Sequence, residues 1–247
     1  MIEYFTNRDS HSGEIFRGML ADRGVEFGTP GEAIVNYGAY VVDERGLPTL
    51  NKAVGTFDKL RALMLMQAAG VSVPPFCAGM SGDEGMYPCL GRKLHHSKGK
   101  DIVWLGHRDD YQVPLHNAAG HIDYSIKYIP ASAEYRVWAW RGEAIAVYKK
   151  VLHDPQEVEG RTGSKWYGAF GYEYVEETPA ELSSLGAGAI GALSLDWGAV
   201  DVIHGVDGEY FVLEVNTEPW LSARLRGGLR LARKVEDWVN AGYPERI

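Results

Sequence analysis

Glu214 and Asn216 stand two residues apart on an apolar run, Tyr210-Phe-Val-Leu-Glu-Val-Asn-Thr-Glu-Pro-Trp-Leu221. Side chains alternate along a strand, so residues i and i+2 share a face. Both oxygen-bearing groups then point one way, and Phe211, Leu213 and Val215 point the other. Asp201 lies 13 positions earlier in a second apolar run, Gly198-Ala-Val-Asp-Val-Ile203. Between the runs, Gly205-Val-Asp-Gly-Glu209 has the composition of a hairpin loop. Pairing the two strands brings Asp201 beside Glu214 and Asn216, a set of oxygen ligands of the kind Mg²⁺ selects. An isolated strand carboxylate is more often solvent-facing than a ligand. Two carboxylates and an amide among apolar neighbours need a cation or a metal to justify their burial.

Other groups could meet an anionic substrate. Tyr87-Pro-Cys-Leu-Gly-Arg-Lys-Leu94 reads as a strand carrying Arg92 and Lys93, and Ile102-Val-Trp-Leu105 as its hairpin partner. The loop between them holds Ser97, Lys98 and Gly99, whose backbone N–H groups and charge suit a phosphate chain. On its own this is equally a solvated basic hairpin, and the Walker pattern is absent. Glu134, Arg136 and Trp138 share one face of the strand Glu134–Trp140. After a turn at Arg141-Gly142-Glu143, Ala144–Val151 returns with Lys149 and Val151 on one face and Tyr148 and Lys150 on the other. An arginine and a lysine there suit phosphate or carboxylate; a cross-strand salt bridge is the plainer reading. His95, His96, His107, His116 and His121 follow no zinc-ligand spacing.

These residues need elements to position them. Ile2–Phe5, a helix over Glu14–Arg23 and Ala33–Tyr37 form a small βαβ-like start, with Asn36-Tyr37-Gly38 as a ligand-facing tip. Thr56–Ala69 is a helix closed by Gly70 and Pro74-Pro75. Ser125–Ile129 is a strand, and His153–Tyr174 reads as one long irregular stretch. Thr178-Pro-Ala-Glu181 has the form of a capping box with proline at the first helical position, opening a helix to about Ser194. Gly228–Ala241 is a C-terminal helix.

The chain of 247 residues is 45% hydrophobic and 23% charged, which is ordinary for a globular protein. Its formal net charge of −8 argues against general nucleic-acid binding. No apolar run reaches membrane-span length, and Met1–Arg8 lacks a signal-peptide layout. Two cysteines, Cys77 and Cys89, make no disulfide framework and are expected to be reduced.

Over about residues 51–225 the ordered set resembles the ATP-grasp superfamily. Asp58-Lys59 with Ala69-Gly-Val-Ser-Val-Pro74 is similar to the segment entering that family's nucleotide lobe. Arg92-Lys93 and Ser97-Lys98-Gly99 resemble its phosphate-covering hairpin. Lys127-Tyr128-Ile129 takes the place of its hinge strand, with the usual acidic residue replaced by Lys127 or moved. Glu134-Tyr-Arg136 and Lys149 resemble its central strands. Asp201, Glu214 and Asn216 match its metal triad in spacing and residue type, the most specific match of all.

The resemblance implies an α/β (α+β) chain with the ATP-grasp fold, two α+β lobes gripping ATP. Residues 1–50 would form a βαβ-like region shorter than the family's N-terminal domain, which hints at a large substrate. Residues 51–130 would be the small lobe with its hairpin, and 131–247 the large lobe with the Mg²⁺ site and a C-terminal helix. The closest pattern is that of carboxylate–amine ligases, including relatives that add amino acids to proteins or peptides, and of small phage and bacterial amidoligase-like proteins. It implies amide formation through an acylphosphate in the cytoplasm (the bacterial host's, for a phage protein). ATP and two Mg²⁺, replaceable by Mn²⁺, would be the cofactors, with Asp201, Glu214 and Asn216 as metal ligands. Nucleotide contacts would come from Arg92 or Lys93, Ser97, Lys98, Gly99, Lys127, Tyr128, Ile129 and Glu134. Arg136 would orient the carboxylate or stabilise the acylphosphate, and Lys149 would reach the phosphates. A carboxylate and an amine, one of them on a protein or peptide, would be the partners. A phosphotransferase acting on a hydroxyl and a non-catalytic nucleotide-binding module are the alternatives.

Overall fold

The computed structural model of the protein describes residues 1–7, 9–94, 102–107, 122–152, 170–221 and 226–244. The expected phosphate-covering tip, Ser97, Lys98 and Gly99, lies outside the described residues.

Strand β1 (Ile2–Thr6) runs parallel to β2 (Ala33–Tyr37), with helix α1 (His11–Ala21) between them in sequence. β3 (Thr49–Leu50) adds in parallel on the far side of β2. All five residues of β2 are buried, as its nearly unbroken apolar run requires in a parallel sheet. Ser10 caps α1, its side chain accepting from the Gly13 N–H at 2.9 Å. Phe16, Met19 and Leu20 are the buried side of that helix.

Helix α2 (Lys59–Ala68) begins where Asp58 accepts from the Arg61 N–H at 2.8 Å. Gly70, at φ +78°, follows its end. The small sheet is antiparallel, in the order β4 (Phe76–Ala78), β7 (Tyr124–Lys127), β5 (Cys89–Arg92), β6 (Val103–Leu105). The expected β5–β6 hairpin is present, with Cys89 opposite Leu105.

The large sheet holds β8 (Ala131–Trp140), β9 (Glu143–Leu152), β10 (Phe170–Tyr174), β11 (Trp197–Gly205) and β12 (Tyr210–Asn216). Its order is β10-β9-β8-β11-β12, antiparallel throughout. One face carries Trp138, Trp197 and Ala199, which pack with α1, β2 and helix α4 (Arg226–Asn240). The other carries Val137, Val200 and Val212, which pack with α2, Ile126 of the small sheet and helix α3 (Ala180–Ala192). Two backbone hydrogen bonds tie the approaches to the small sheet onto the β11–β12 hairpin. Val212 N–H donates to Ser72 O at 2.8 Å and Val206 N–H to Pro130 O at 2.9 Å.

Two local expectations fail. Phe170–Tyr174 is a strand rather than the end of a loop, because Gly171-Tyr-Glu-Tyr174 pairs residue by residue with β9. The capping box at Thr178 is not formed: Pro179 stands at the cap without a side-chain hydrogen bond. No described helix is long and apolar enough to cross a membrane.

Candidate active site

The β11–β12 hairpin turns at Gly205, whose N–H donates to Glu209 O at 2.8 Å. From there the strands zip in register until Val202 meets Val212, and then Asp201 meets Glu214. Leu213 is therefore an extra residue, a β-bulge. Strict alternation would put Leu213 on the face opposite Glu214. Instead Val212 takes the core position, Leu213 faces a cavity, and Glu214 and Asn216 share the Asp201 face. The three donors converge. Asn216 Nδ2 lies 3.2 Å from Asp201 Oδ2 and 3.4 Å from Glu214 Oε1.

Each carboxylate has its own cation. Arg136 forks onto Asp201, Nε to Oδ1 at 2.8 Å and Nη2 to Oδ2 at 2.9 Å, while Lys150 Nζ stands 3.8 Å from Oδ2. Lys59 Nζ donates to Glu214 Oε2 at 2.8 Å. Burial pushes the Asp201 carboxyl upward, but Arg136 and Lys150 together outweigh it and hold the group below its ordinary range. Burial likewise raises Glu214, and Lys59 turns the net shift downward. Burial opposes the charge on Arg136 and Lys150, yet Asp201 leaves both raised. The Arg136 guanidinium also lies 5.2 Å from the Tyr172 ring centre on β10.

A cavity of about 870 Å³ runs along the outer edge of β12. Leu213, Glu214 and Asn216 form one wall, and Lys59 and Arg61 of α2 another. Tyr124 and Leu94 contribute from the small-sheet side, and Asn7 and Gly38 from the N-terminal strands. The size suits a nucleotide-scale ligand.

The sequence-predicted residues divide in this frame. Asp201, Glu214, Asn216 and Arg136 come together, and Glu134 joins them through Lys150, 3.1 Å away. Arg92 sits opposite Tyr124 on β7, so both lie on the cavity-facing side of the small sheet. Its guanidinium is 6.0 Å from the Tyr124 ring centre, and its buried Nε has no hydrogen-bond partner among the described residues. By alternation Lys93 faces away, which separates two residues the sequence left equivalent. Lys127 pairs with Cys89, on the other face from Tyr124. Tyr128 is exposed, its ring 4.8 Å from that of Trp104, and neither it nor Ile129 lines the cavity.

Lys149 does not join the cluster. It is exposed, and Lys150 occupies the position expected of it. The reason is a second bulge. A two-residue turn pairing Trp140 with Glu143 would, without interruption, set Lys149 opposite Glu134. Ile145 is inserted, so Trp138 meets Ala146, Arg136 meets Tyr148, and Lys150 reaches the Glu134–Arg136 face. Lys59 was also missed as a site residue. Its signal was the Asp58-Lys59 pair, because a capping aspartate fixes where the helix starts and so where the lysine points.

Whether a divalent cation fits rests on the donor chemistry. Asp201, Glu214 and Asn216 bring two carboxylates and one amide together, Glu214 and Asn216 on the cavity wall; the carboxylate oxygens are the hard donors Mg²⁺ takes, and Asn216 would add its Oδ1 with the amide turned, since its Nδ2 now faces the carboxylates. Among the described residues no group of three His, Cys, Asp or Glu side chains could hold a metal, so a cation here would have to complete its shell with the amide and with water or substrate oxygens. The set fits Mg²⁺ bound jointly by protein and substrate.

No protein-family model matches the chain. Solved structures align with it almost end to end. The ATP-grasp ligase PsnB complexed with minimal precursor, Mg and ADP has a TM-score of 0.68 at 16% identity, covering 95% of this chain and 96% of that one. A Chryseobacterium gregarium RiPP-associated ATP-grasp ligase, in complex with ADP and a leader and core peptide, has 0.66 at 12%, covering 100% and 98%. D-alanine–D-alanine ligase from Bacillus anthracis complexed with ATP has 0.64 at 15%, covering 96% of each chain. The chain thus has the ATP-grasp fold.

Proposed function

We propose that the protein is an ATP-dependent carboxylate–amine ligase that forms an amide through an acylphosphate, with a peptide or protein as one substrate. The observation that carries this reading is the convergence of Asp201, Glu214 and Asn216, with a cation for each carboxylate, where Glu214 and Asn216 line a nucleotide-sized cavity. The fold supports it, since solved neighbours include ATP-grasp ligases, two of them complexed with a precursor peptide or with a leader and core peptide.

ATP would lie with its phosphates toward Lys59, Arg92 and the donor triad. Asp201, Glu214 and Asn216 would hold Mg²⁺, which when bound neutralises phosphate charge; Mn²⁺ would be able to replace it. An oxygen of the substrate carboxylate attacks the γ-phosphorus, the bond to the β-phosphate oxygen breaks, and ADP departs. The amine nitrogen then attacks the acyl carbon, phosphate leaves, and the nitrogen loses a proton. Arg136 has Nε and Nη2 committed to Asp201, which fixes that carboxylate and leaves Nη1 for the substrate carboxylate or the acylphosphate. Lys150, rather than Lys149, would serve the phosphate end from its place beside Glu134 and Asp201. Such chemistry depends on positioning and preorganised charge.

The test is ADP release with ATP, Mg²⁺ and a panel of amino acids and peptides, using hydroxylamine to trap an acylphosphate as its hydroxamate. Release should require a carboxylate and be lost in Asp201→Asn with Glu214→Gln. Unchanged release in that double variant would remove the triad from the mechanism. A product heavier by phosphate, rather than a condensation losing water, would point to a kinase. Nucleotide binding without release across the panel would point to a non-catalytic module. Radiolabelled amino acid entering only small metabolites in a cell extract would remove the macromolecular substrate.

A further inference from the structure

One end of the cavity is lined by Asn7, Gly38 and Thr217, and the Glu218 carboxylate lies directly against Asn7 and Gly38, unused by the proposed ATP chemistry. Asn7 follows β1 and Gly38 follows β2, so both stand at the carboxyl ends of parallel strands, where such sheets present ligand sites. Facing them, just beyond β12, are Thr217 and Glu218. Asn7 Nδ2 donates to Gly38 O at 3.1 Å and also to the Glu218 carboxylate. Gly38 has φ +82°, and a Cβ added there would fall 2.5 Å from Glu218 Cβ and 3.0 Å from its Oε2. Only glycine permits that approach. Tyr37 Oη donates to Pro219 O at 2.6 Å and fixes the next residue as well.

Glu218 is therefore held in place by a neutral donor. Among the described residues it makes no ion pair, whereas Asp201, Glu214, Glu134, Asp196 and Glu3 each have one. Its neighbours Asn7, Gly38 and Thr217 are neutral and line the same cavity as the donor triad. The Glu218 carboxylate and the Gly38 carbonyl each accept from Asn7, and side by side they present a negative charge and further acceptor lone pairs. The group such a pocket suits is a primary ammonium, with three N–H donors and a positive charge.

We propose that Glu218, with Gly38 O, binds the ammonium group of the amine substrate and so selects an amine-bearing amino acid, lysine side chain or peptide amino terminus. This rests on the ligase reading for the word substrate, but the binding site stands or falls separately. A plain structural alternative exists: Glu218 could serve only to tie the N-terminal strands to β12 through Asn7.

Glycinamide and acetamide separate the two, because they share the amide and differ in the ammonium, which is largely protonated at pH 7. Each would be titrated into the full chain with Mg²⁺, with and without a non-hydrolysable ATP analogue, following the amide resonances of Asn7 and Gly38. Glycinamide should bind saturably to the wild type and roughly tenfold more weakly to Glu218→Gln. Acetamide should bind poorly to both. Glu218→Asp, which keeps the charge, should retain the preference for glycinamide. Glu218→Gln can still accept from Asn7, and its melting temperature reports whether it folds. Equal glycinamide affinity in the wild type and Glu218→Gln, or no preference over acetamide in the wild type, overturns the proposal. Glycinamide binding through Glu218 in a protein that never releases ADP would support the ammonium site while the ligase reading fails. ADP release to hydroxylamine without glycinamide preference would do the reverse.

Discussion

Replacing Asn51 tests how the ligand-facing tip is anchored to the large sheet. Asn51 is fully buried at φ +56°. Its Oδ1 accepts from Asp196 N–H at 2.9 Å and from Trp197 N–H at 3.0 Å, and its Nδ2 donates to Trp197 O at 3.1 Å. Its own N–H donates to Asp196 Oδ2 at 2.7 Å, and its carbonyl accepts from Asn36 Nδ2 at 3.1 Å. One side chain thereby joins β3 and β2 to the start of β11. Asn51→Ala strands three buried backbone groups at about 1–1.5 kcal/mol each. It also leaves a Cβ in left-handed backbone without the polar side chain that offsets it, about 1 kcal/mol more. The expected loss is about 4–5.5 kcal/mol, a large share of the roughly 5–15 kcal/mol that holds a domain folded. Asn51→Gly loses the same bonds but escapes the backbone strain, so it should be about 1 kcal/mol milder. Urea unfolding at 25 °C and pH 7, followed by tryptophan fluorescence, gives both values from the shift in midpoint at constant slope. A loss below about 1 kcal/mol for Asn51→Ala would show that water replaces the bonds. Equal losses for Ala and Gly would refute the strain term.

Three further outcomes are expected. Lys150→Met should reduce ADP release by roughly tenfold or more, since it removes the cation beside Glu134 and Asp201, whereas exposed Lys149→Met should leave stability within about 0.5 kcal/mol and activity near wild type; steady-state kinetics and thermal melts of the pair decide. Gly38→Ala combines a positive φ with a clash against Glu218, so it should cost about 2–4 kcal/mol by urea unfolding; a neutral result would mean the tip moves freely. Hydrogen bonds from Arg45, then from the Gly31 N–H, hold the Glu3 carboxyl down at about 2, against an ordinary 4.5. A depressed folded value means its stabilisation is present above pH 4.5 and is lost as pH falls toward 2, so Glu3→Gln should flatten that part of the acid-unfolding curve. An unchanged curve would remove Glu3 from acid sensitivity.

The donor triad was legible because its geometry is local: two apolar runs, a short turn and the period of a strand put Asp201, Glu214 and Asn216 together. The bulges were not legible. An inserted residue changes which face a side chain takes, and neither Leu213 nor Ile145 differs in type from a residue in unbroken pairing. That is why Leu213 was placed on the face opposite Glu214 and Lys149 in the site. β10 was hidden for another reason, since Gly171-Tyr-Glu-Tyr174 becomes a strand only when β9 offers an edge to pair with. Lys59 and Arg92 were visible as charges, but their roles depend on how α2 and the small sheet lie against β12. The contact between Asn7 and Glu218 spans 211 positions of sequence and had no local mark.

The two straps to the small sheet, at Ser72 and Pro130, are both fastened to the hairpin that carries Asp201 and Glu214. A line through them is the natural axis for the small sheet to swing on, like a door hung on the frame that also holds its latch. Swinging would move Arg92 toward or away from Glu214 while the three oxygen donors stay fixed relative to the pivot. Grip on the proposed nucleotide and the spacing of Asp201, Glu214 and Asn216 would then be mechanically independent, so the two sides of the cavity could adapt to a ligand without disturbing the proposed metal site.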